Sequence, residues 1–281
     1  MRPAVPALSL VLVALAVRTA APAAPAAPEA APALPPSFPH LSDHFPDEGI
    51  GGQVFLVVDG DTGEILRSEG GVDDAVPWDG LERLVIAWTG LERGTLDLDA
   101  RAPCDSACWA AGGHGRPDFR EGVAEDCGSW FARARERVPE AAWRARAREL
   151  GLVAEHADGT SPRAWTDAWR RLASDRLGLA GNVTTTLLGS AGLAVTFPRG
   201  SAHALHDPRR RTRAFVFSSA SGSWVIGSRA VLAREWVFAL HLEGGSPSLA
   251  AARADRLLDD TRNVARRSTA ERGGAPVRET D

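Results

Sequence analysis

Apolar and polar positions fall into blocks along this chain. The blocks predict a hairpin, then a run of helices, then a second group of strands. Gln53 to Val58 (QVFLVV) is an apolar run of β type, and Asp59-Gly60-Asp61-Thr62-Gly63 supplies turn chemistry before a return strand from Glu64 to Arg67. Leu81 to Leu91 is mostly apolar and long enough for a buried helix, with Gly94 placed to cap its end. Asp126 to Arg137 carries Trp130, Phe131 and Ala134 at helical spacing, and Pro139 opens a further helix that Gly151 closes. Thr160-Ser161-Pro162 is a cap-then-proline start leading into AWTDAWRRLAS, and Val183 to Val195 reads as one more apolar helix. Phe215–Phe217, Ser223–Ile226 and Trp236–Leu242 are strand-like, with Gly222, Gly227 and charged residues between them. Leu249 to Leu258 has helical apolar spacing, and the chain turns polar from Arg262.

This order predicts an α/β (α+β) domain in which N-terminal and C-terminal strands share one antiparallel sheet around a central helical subdomain. Upstream of it, Met1-Arg2, the apolar run Val5 to Val17 and the small residues that follow have the layout of a secretory signal, with cleavage expected between Ala20 and Ala27. Left uncleaved, the same segment would be an N-terminal membrane anchor, although the run is short for a span. The expected organisation is a signal over 1–27, an Ala/Pro-rich linker over 28–48, the folded domain over 49–261 and a polar tail over 262–281. The expected location is therefore outside the cytoplasm, periplasmic or extracellular.

Charge and cysteine content narrow the chemistry. Losing Arg2 and Arg18 with the signal takes the formal charge from −4 to −6, so nothing suggests a nucleic acid as partner. Every one of the 32 basic residues counted as Lys or Arg is an arginine; the chain has no lysine. Cys104, Cys108 and Cys127 lie close together in a chain expected to meet oxidising conditions. They read as a local staple, Cys104–Cys108 or Cys108–Cys127, with one thiol over. A zinc site would require His114 to join them, and the spacing matches no common zinc pattern, so no metal and no cofactor is expected. His114, between glycines, reads as a hydrogen-bonding residue of a tight turn. His44, His156, His203, His206 and His241 are scattered without metal-like spacing, and Arg209 to Arg213 reads as an exposed loop.

Four segments, in order, carry a family resemblance. Val76 to Gly94 (VPWDGLERLVIAWTGLERG) resembles the P-x-S-x-x-K helix of penicillin-recognising serine enzymes, with the L-E-x-G ending intact as Leu91, Glu92 and Gly94. Counting back puts Gly80 at the serine and Arg83 at the lysine. Cys108-Trp109, Gly113-His114-Gly115 and Asp118 to Gly122 resemble the CW…GHG run of class B penicillin-binding transpeptidases. Ala124 to Phe131 resembles their A-Q-S-C-N-x-Y-F, with Asp126 in place of the S-x-N serine and Gly128 in place of its asparagine. Ser221 to Gly227, followed by Glu235 to Leu240, resembles the K-T-G strand and its partner; Ala220-Ser221-Gly222 would be the triplet, its lysine replaced by alanine. Class D β-lactamases share that trace, and Gly200-Ser201-Ala202 echoes a G-T-A segment that precedes the strand in the transpeptidases.

The resemblance implies the serine β-lactamase/DD-transpeptidase fold, and the residues imply that its chemistry is gone. In the family a serine attacks the acyl carbonyl and gives its proton to a neutral lysine. The S-x-N serine relays protons, its asparagine binds substrate amide, and the K-T-G lysine holds a carboxylate. Gly80 offers no nucleophile, and Arg83 stays protonated at physiological pH. Gly128 cannot orient an amide, and Ala220 provides no cation. No register shift restores either lysine. Ser221, Ser223, Ser129 and Cys127 are alternative nucleophiles by residue type, and Arg83 and Asp126 are expected to pair across the vacated site. The leading expectation is an exported pseudoenzyme that binds or scaffolds in the cell envelope, toward peptidoglycan stem peptides or another envelope protein, without β-lactam binding. The alternatives are a working acyltransferase or β-lactam hydrolase with a displaced nucleophile, and an unrelated structural envelope protein.

Overall fold

The computed structural model describes residues 51–104, 108–109, 112–153, 159–231 and 233–271. The expected signal (1–27) and linker (28–48), His44, His156 and the end of the expected tail lie outside the described residues.

The hairpin forms as the pattern requires. Strand β1 (Gln53–Asp59) turns into β2 (Ile65–Glu69), and the turn is built on Asp59. Its Oδ1 accepts hydrogen bonds from Asp61 N at 3.1 Å, Thr62 N at 2.9 Å and Thr62 Oγ1 at 3.1 Å. Three late strands, β5 (Thr212–Ser218), β6 (Ser223–Val231) and β7 (Arg234–Leu242), complete an antiparallel sheet in the order β2-β1-β7-β6-β5. β1 pairs with β7 along its whole length, from Gln53 opposite Leu242 to Asp59 opposite Trp236. That pairing of early and late strands is the one the fold expectation required.

Successive side chains of a strand point to opposite faces, and β6 and β7 are buried on both. One face meets the helical block: Phe215 packs on Trp169 and Phe217 on Phe131, each with ring centroids 6.1 Å apart. On this face Trp224 Nε1 donates to the Pro77 carbonyl at 2.8 Å. The block consists of α1 (Glu82–Glu92), α2 (Phe119–Ala124), α3 (Gly128–Arg137), α4 (Glu140–Glu149), α5 (Pro162–Ala173) and α6 (Gly181–Thr196). A two-stranded ladder, β3 (Val76–Pro77) with β4 (Gly159–Thr160), lies beside it. The other face meets α7 (Pro247–Glu271), through Arg229 to Asp255 at 2.6 Å.

Helix signals held where caps were explicit. Ser161 accepts from Ala164 N at 3.2 Å, Pro162 fills the first turn, and α5 buries Trp165, Trp169 and Leu172. Other boundaries moved for physical reasons. β6 runs through Gly227 to Val231 rather than stopping at Ile226, because this glycine is a close-approach residue. A Cβ there would sit 2.2 Å from the Arg213 carbonyl oxygen of the neighbouring strand. Thr212 and Arg213, read as part of a basic loop, are the first residues of β5. α7 continues through Glu271, where a polar tail was expected from Arg262. Elongating a formed helix costs far less than nucleating one, and Ala265 still packs on the core. α2 was not foreseen as a helix, although Asp118 and Glu121 form a capping box with mutual side-chain to backbone bonds of 3.0 and 3.1 Å. The next helix begins at Gly128 instead of Asp126, since Asp126 adopts φ +47°. Among the described residues no helix is long and apolar enough to cross a membrane.

Candidate functional site

The first turn of α1 faces the end of β5. Gly80 lies in the turn before the helix at φ +84°, in the left-handed region. A Cβ on Gly80 would stand 3.1 Å from the Ser218 carbonyl oxygen. The left-handed backbone and the close strand above it both favour a residue without a Cβ at this position. Arg83 N donates back to Gly80 O at 3.2 Å, which places the guanidinium one turn along, over the same opening.

Arg83 and Asp126 meet there. Arg83 Nη1 is 2.7 Å from Asp126 Oδ1, and Asp126 Oδ2 accepts from Ser218 N at 3.3 Å. The Asp126 side chain is 1% exposed and the Arg83 side chain 25%. Burial pushes the Asp126 carboxyl up to about 6, with the guanidinium pulling the other way. Burial also acts to lower Arg83, but the charge and hydrogen bond of Asp126 outweigh it and the guanidinium is held above its usual range. The arginine keeps part of its contact with water while the aspartate has lost its own. That asymmetry makes the carboxylate the strained partner. The guanidinium also lies 5.9 Å from the centre of the Phe131 ring.

Ala220, Ser221 and Gly222 lie beyond the end of β5, in the β5–β6 turn. The residue that the strand sets opposite Gly80 and Asp126 is Ser218, two positions earlier than the triplet named from sequence. Its hydroxyl points to the strand partner, 2.7 Å from Ser223 Oγ. Sequence reasoning passed over Ser218 because the pairing Ser218 with Ser223 is a tertiary fact; a run of serines carries no register. Ser221 Oγ reaches Asp79 Oδ2 at 3.3 Å and Ser219 Oγ at 2.8 Å. Ser223 Oγ reaches Gly245 O at 3.3 Å. Gly128 opens α3 with nothing within 4 Å of where its Cβ would be.

Directly behind this site, Cys104, Cys108, His114 and Cys127 converge, with their ligand atoms all within 4.8 Å of one another. The three cysteines are thiols in the structure, and with His114 they form a four-residue cluster. Spacing along the chain gave no sign of this proximity, which only folding brings about. A loop supplies Cys104 and Cys108, a glycine-flanked turn supplies His114, and the N-cap of α3 supplies Cys127. Burial lowers His114, so its ring is neutral near pH 7. Next to it, burial pushes Glu125 up to about 7 against the pull of Arg199.

The same architecture occurs in solved structures. The C-terminal domain of the Bacillus licheniformis BlaR penicillin-receptor superposes with a TM-score of 0.60 at 15% identity, covering 75% of this chain and 90% of that one. The class D β-lactamase BSU-2 delta mutant gives 0.60 at 11%, covering 74% and 91%. FUS-1 (OXA-85), a class D β-lactamase from Fusobacterium nucleatum subsp. polymorphum, gives 0.59 at 11%, covering 77% and 93%. This is the penicillin-binding and β-lactamase fold. No family model and no curated protein sequence matches the chain.

The helix turn carries a left-handed glycine, the next turn a permanently protonated arginine, and the facing loop a buried carboxylate paired to it. A guanidinium that cannot give up its proton cannot accept one from a nucleophile. The ion pair joins the start of α1 to the turn before α3 and, through Ser218 N, to the end of β5.

Proposed function

We propose that this chain is an exported penicillin-binding-like pseudoenzyme, acting in the cell envelope as a binding or scaffolding module. The observation that carries the reading is the Arg83–Asp126 ion pair at 2.7 Å beneath a glycine that has no nucleophile to offer. Loss of one member of a cooperating catalytic set typically costs on the order of 10⁴ to 10⁶ in turnover, and here several are gone together. What remains is a sheet-and-helix frame, and the partner we expect for it is a peptidoglycan stem peptide or a segment of another envelope protein. β-Lactams are not expected to acylate it.

A displaced nucleophile is the competing reading, and one contact favours it: Ser221 Oγ at 3.3 Å from the Asp79 carboxylate. Fluorescent-penicillin labelling of the full chain, followed by intact mass, separates the two. No adduct is expected; a stoichiometric adduct mapped to Ser221 would overturn the pseudoenzyme reading. Cosedimentation with purified peptidoglycan then tests the partner. Retention that free stem peptide competes away supports the peptide reading, and its absence moves the reading to an envelope protein.

A further inference from the structure

We propose that Cys104, Cys108, His114 and Cys127 form a closed structural zinc site that fixes the turn carrying Asp126. The spacing C-x3-C-x5-H-x12-C is spread over a loop, a turn and a helix start, so only folding assembles it. All four ligand atoms lie within 4.8 Å of one another. With Zn–S near 2.3 Å and Zn–N near 2.0–2.1 Å, tetrahedral ligands stand about 3.8 Å apart for two sulfurs and about 3.5 Å for sulfur and nitrogen. His114 Nδ1 is already 3.5 Å from Cys104 Sγ. The remaining distances, none above 4.8 Å, need contraction by at most about 1.0 Å between sulfurs and about 1.3 Å between sulfur and nitrogen to reach that geometry.

The donor chemistry selects the ion. Three thiols and one imidazole make a soft, tetrahedral set that suits zinc and offers nothing to the oxygen-seeking calcium or magnesium. Four protein ligands leave no open position, which marks a structural site and not a catalytic one. His114 and Cys127 are 2% and 0% exposed, so the centre is shielded on the helix side. The surrounding donors fit thiolates: Gly128 N donates to Cys108 Sγ at 3.3 Å from the N-terminus of α3, and Ser129 Oγ lies 3.9 Å from Cys104 Sγ. Trp109 packs against the His114 ring, centroids 5.5 Å apart and planes tilted by 59°, and its Nε1 ties the same loop to the Glu125 carbonyl at 2.8 Å. A disulfide could join only two of these four groups and would leave the imidazole without a part.

Cys127 directly follows Asp126, so the ion would hold in place the left-handed turn that presents Asp126 to Arg83. The site therefore concerns the frame of the vacated centre and stands whether or not the pseudoenzyme reading does.

The test uses the full chain, purified in zinc-supplemented medium without a polyhistidine tag or chelator. Inductively coupled plasma mass spectrometry is expected to find about one zinc per chain, as a closed four-ligand site requires. Exchange for cobalt should give the intense visible bands of a tetrahedral thiolate complex. All three thiols should become reactive only after denaturation with chelator. His114→Ala and Cys108→Ser should each drop the zinc to near zero, while His114→Cys, which keeps four soft ligands, should retain it. Arg83→Met should retain the full amount. If a ligand variant fails to fold, the wild-type zinc content and cobalt spectrum decide alone. A zinc-free chain would sink the proposal, whether its denatured mass shows one disulfide or three reduced thiols. So would zinc that persists undiminished in both His114→Ala and Cys108→Ser.

Discussion

Two arginine–aspartate pairs flank the central sheet, and they are buried in opposite senses. On the α7 face, Arg229 is 0% exposed at the side chain and its partner Asp255 is 38% exposed. On the α1 face the acid is the buried member, Asp126 at 1% and Arg83 at 25%. The difference decides what each pair can tolerate. A guanidinium keeps its charge at any accessible pH, so Arg229 needs the acceptors around it: Asp255 at 2.6 Å, Thr212 Oγ1 at 3.0 Å and the Leu205 carbonyl at 3.2 Å. A buried carboxylic acid deprived of its partner can take up a proton and lower its cost. The α7 pair is thus a fixed bond between helix and sheet. The α1 pair is a contact in which the acid has another way out if its partner is removed.

The largest expected effect comes from breaking the fixed bond. Asp255→Ala removes the nearer counter-charge of a buried guanidinium, leaving Asp259 at 4.0 Å, and urea unfolding at pH 7 should show a loss of about 3 kcal/mol, the low end for breaking a buried ion pair. Arg83→Met should cost less, about 1–2 kcal/mol, because Asp126 can neutralise itself at the price of a proton taken up against pH. Combining Arg83→Met with Asp126→Asn should recover most of that loss. An Arg83→Met loss as large as that of Asp255→Ala would erase the distinction between the pairs.

Gly80→Ser tests whether the α1 face is only missing a side chain. The left-handed backbone and the 3.1 Å approach to Ser218 O predict a destabilisation of about 1–2 kcal/mol. No penicillin labelling should appear, even in combination with Arg83→Lys. A stable, labelled variant would show that the scaffold had kept its competence.

Asp59 supplies a third arrangement, an acid buried among donors. The backbone hydrogen bond from Thr62 holds its carboxyl below the usual range, with smaller contributions from the Thr62 hydroxyl, Asp61 N and Arg234, against the effect of burial. A depressed folded value means the stabilisation is fully present above the unfolded value, near 3.9. It is lost as pH falls through the folded one. Asp59→Asn should therefore cost about 1 kcal/mol at pH 7, and the gap from the parent chain should narrow as pH falls below the ordinary aspartate value near 3.9. A gap that widened toward acid would reverse the assignment.

The frame was largely readable before the structure. The apolar run at Gln53–Val58, the turn built on Asp59, the cap at Ser161 and the late strands are all local signals, and each of these elements formed. Boundaries failed where a residue's role depended on a neighbour far along the chain. Gly227 reads locally as a break, yet it is in-strand because β5 passes too closely for a Cβ. Asp126 reads as helical, yet it turns left-handed between α2 and α3. The pairing of Arg83 with Asp126 was expected from their family positions and is present at 2.7 Å. Ser218 escaped because serines at 218, 219, 221 and 223 are indistinguishable until strand pairing fixes which one faces Gly80.

By itself the sequence determined what this protein lacks. With no lysine anywhere, no arrangement of the chain supplies a lysine amine as a proton acceptor. Periodicity and caps, which act over a few residues, determined the elements. Tertiary structure alone decided that Gly80 is held left-handed under β5. It alone decided that Arg229 is sealed beneath α7, and that three sulfurs and an imidazole share one small volume. The reason is physical: secondary structure answers to neighbours a turn or a pleat away. A charge's burial or a ligand's geometry answers to whatever the folded chain brings alongside.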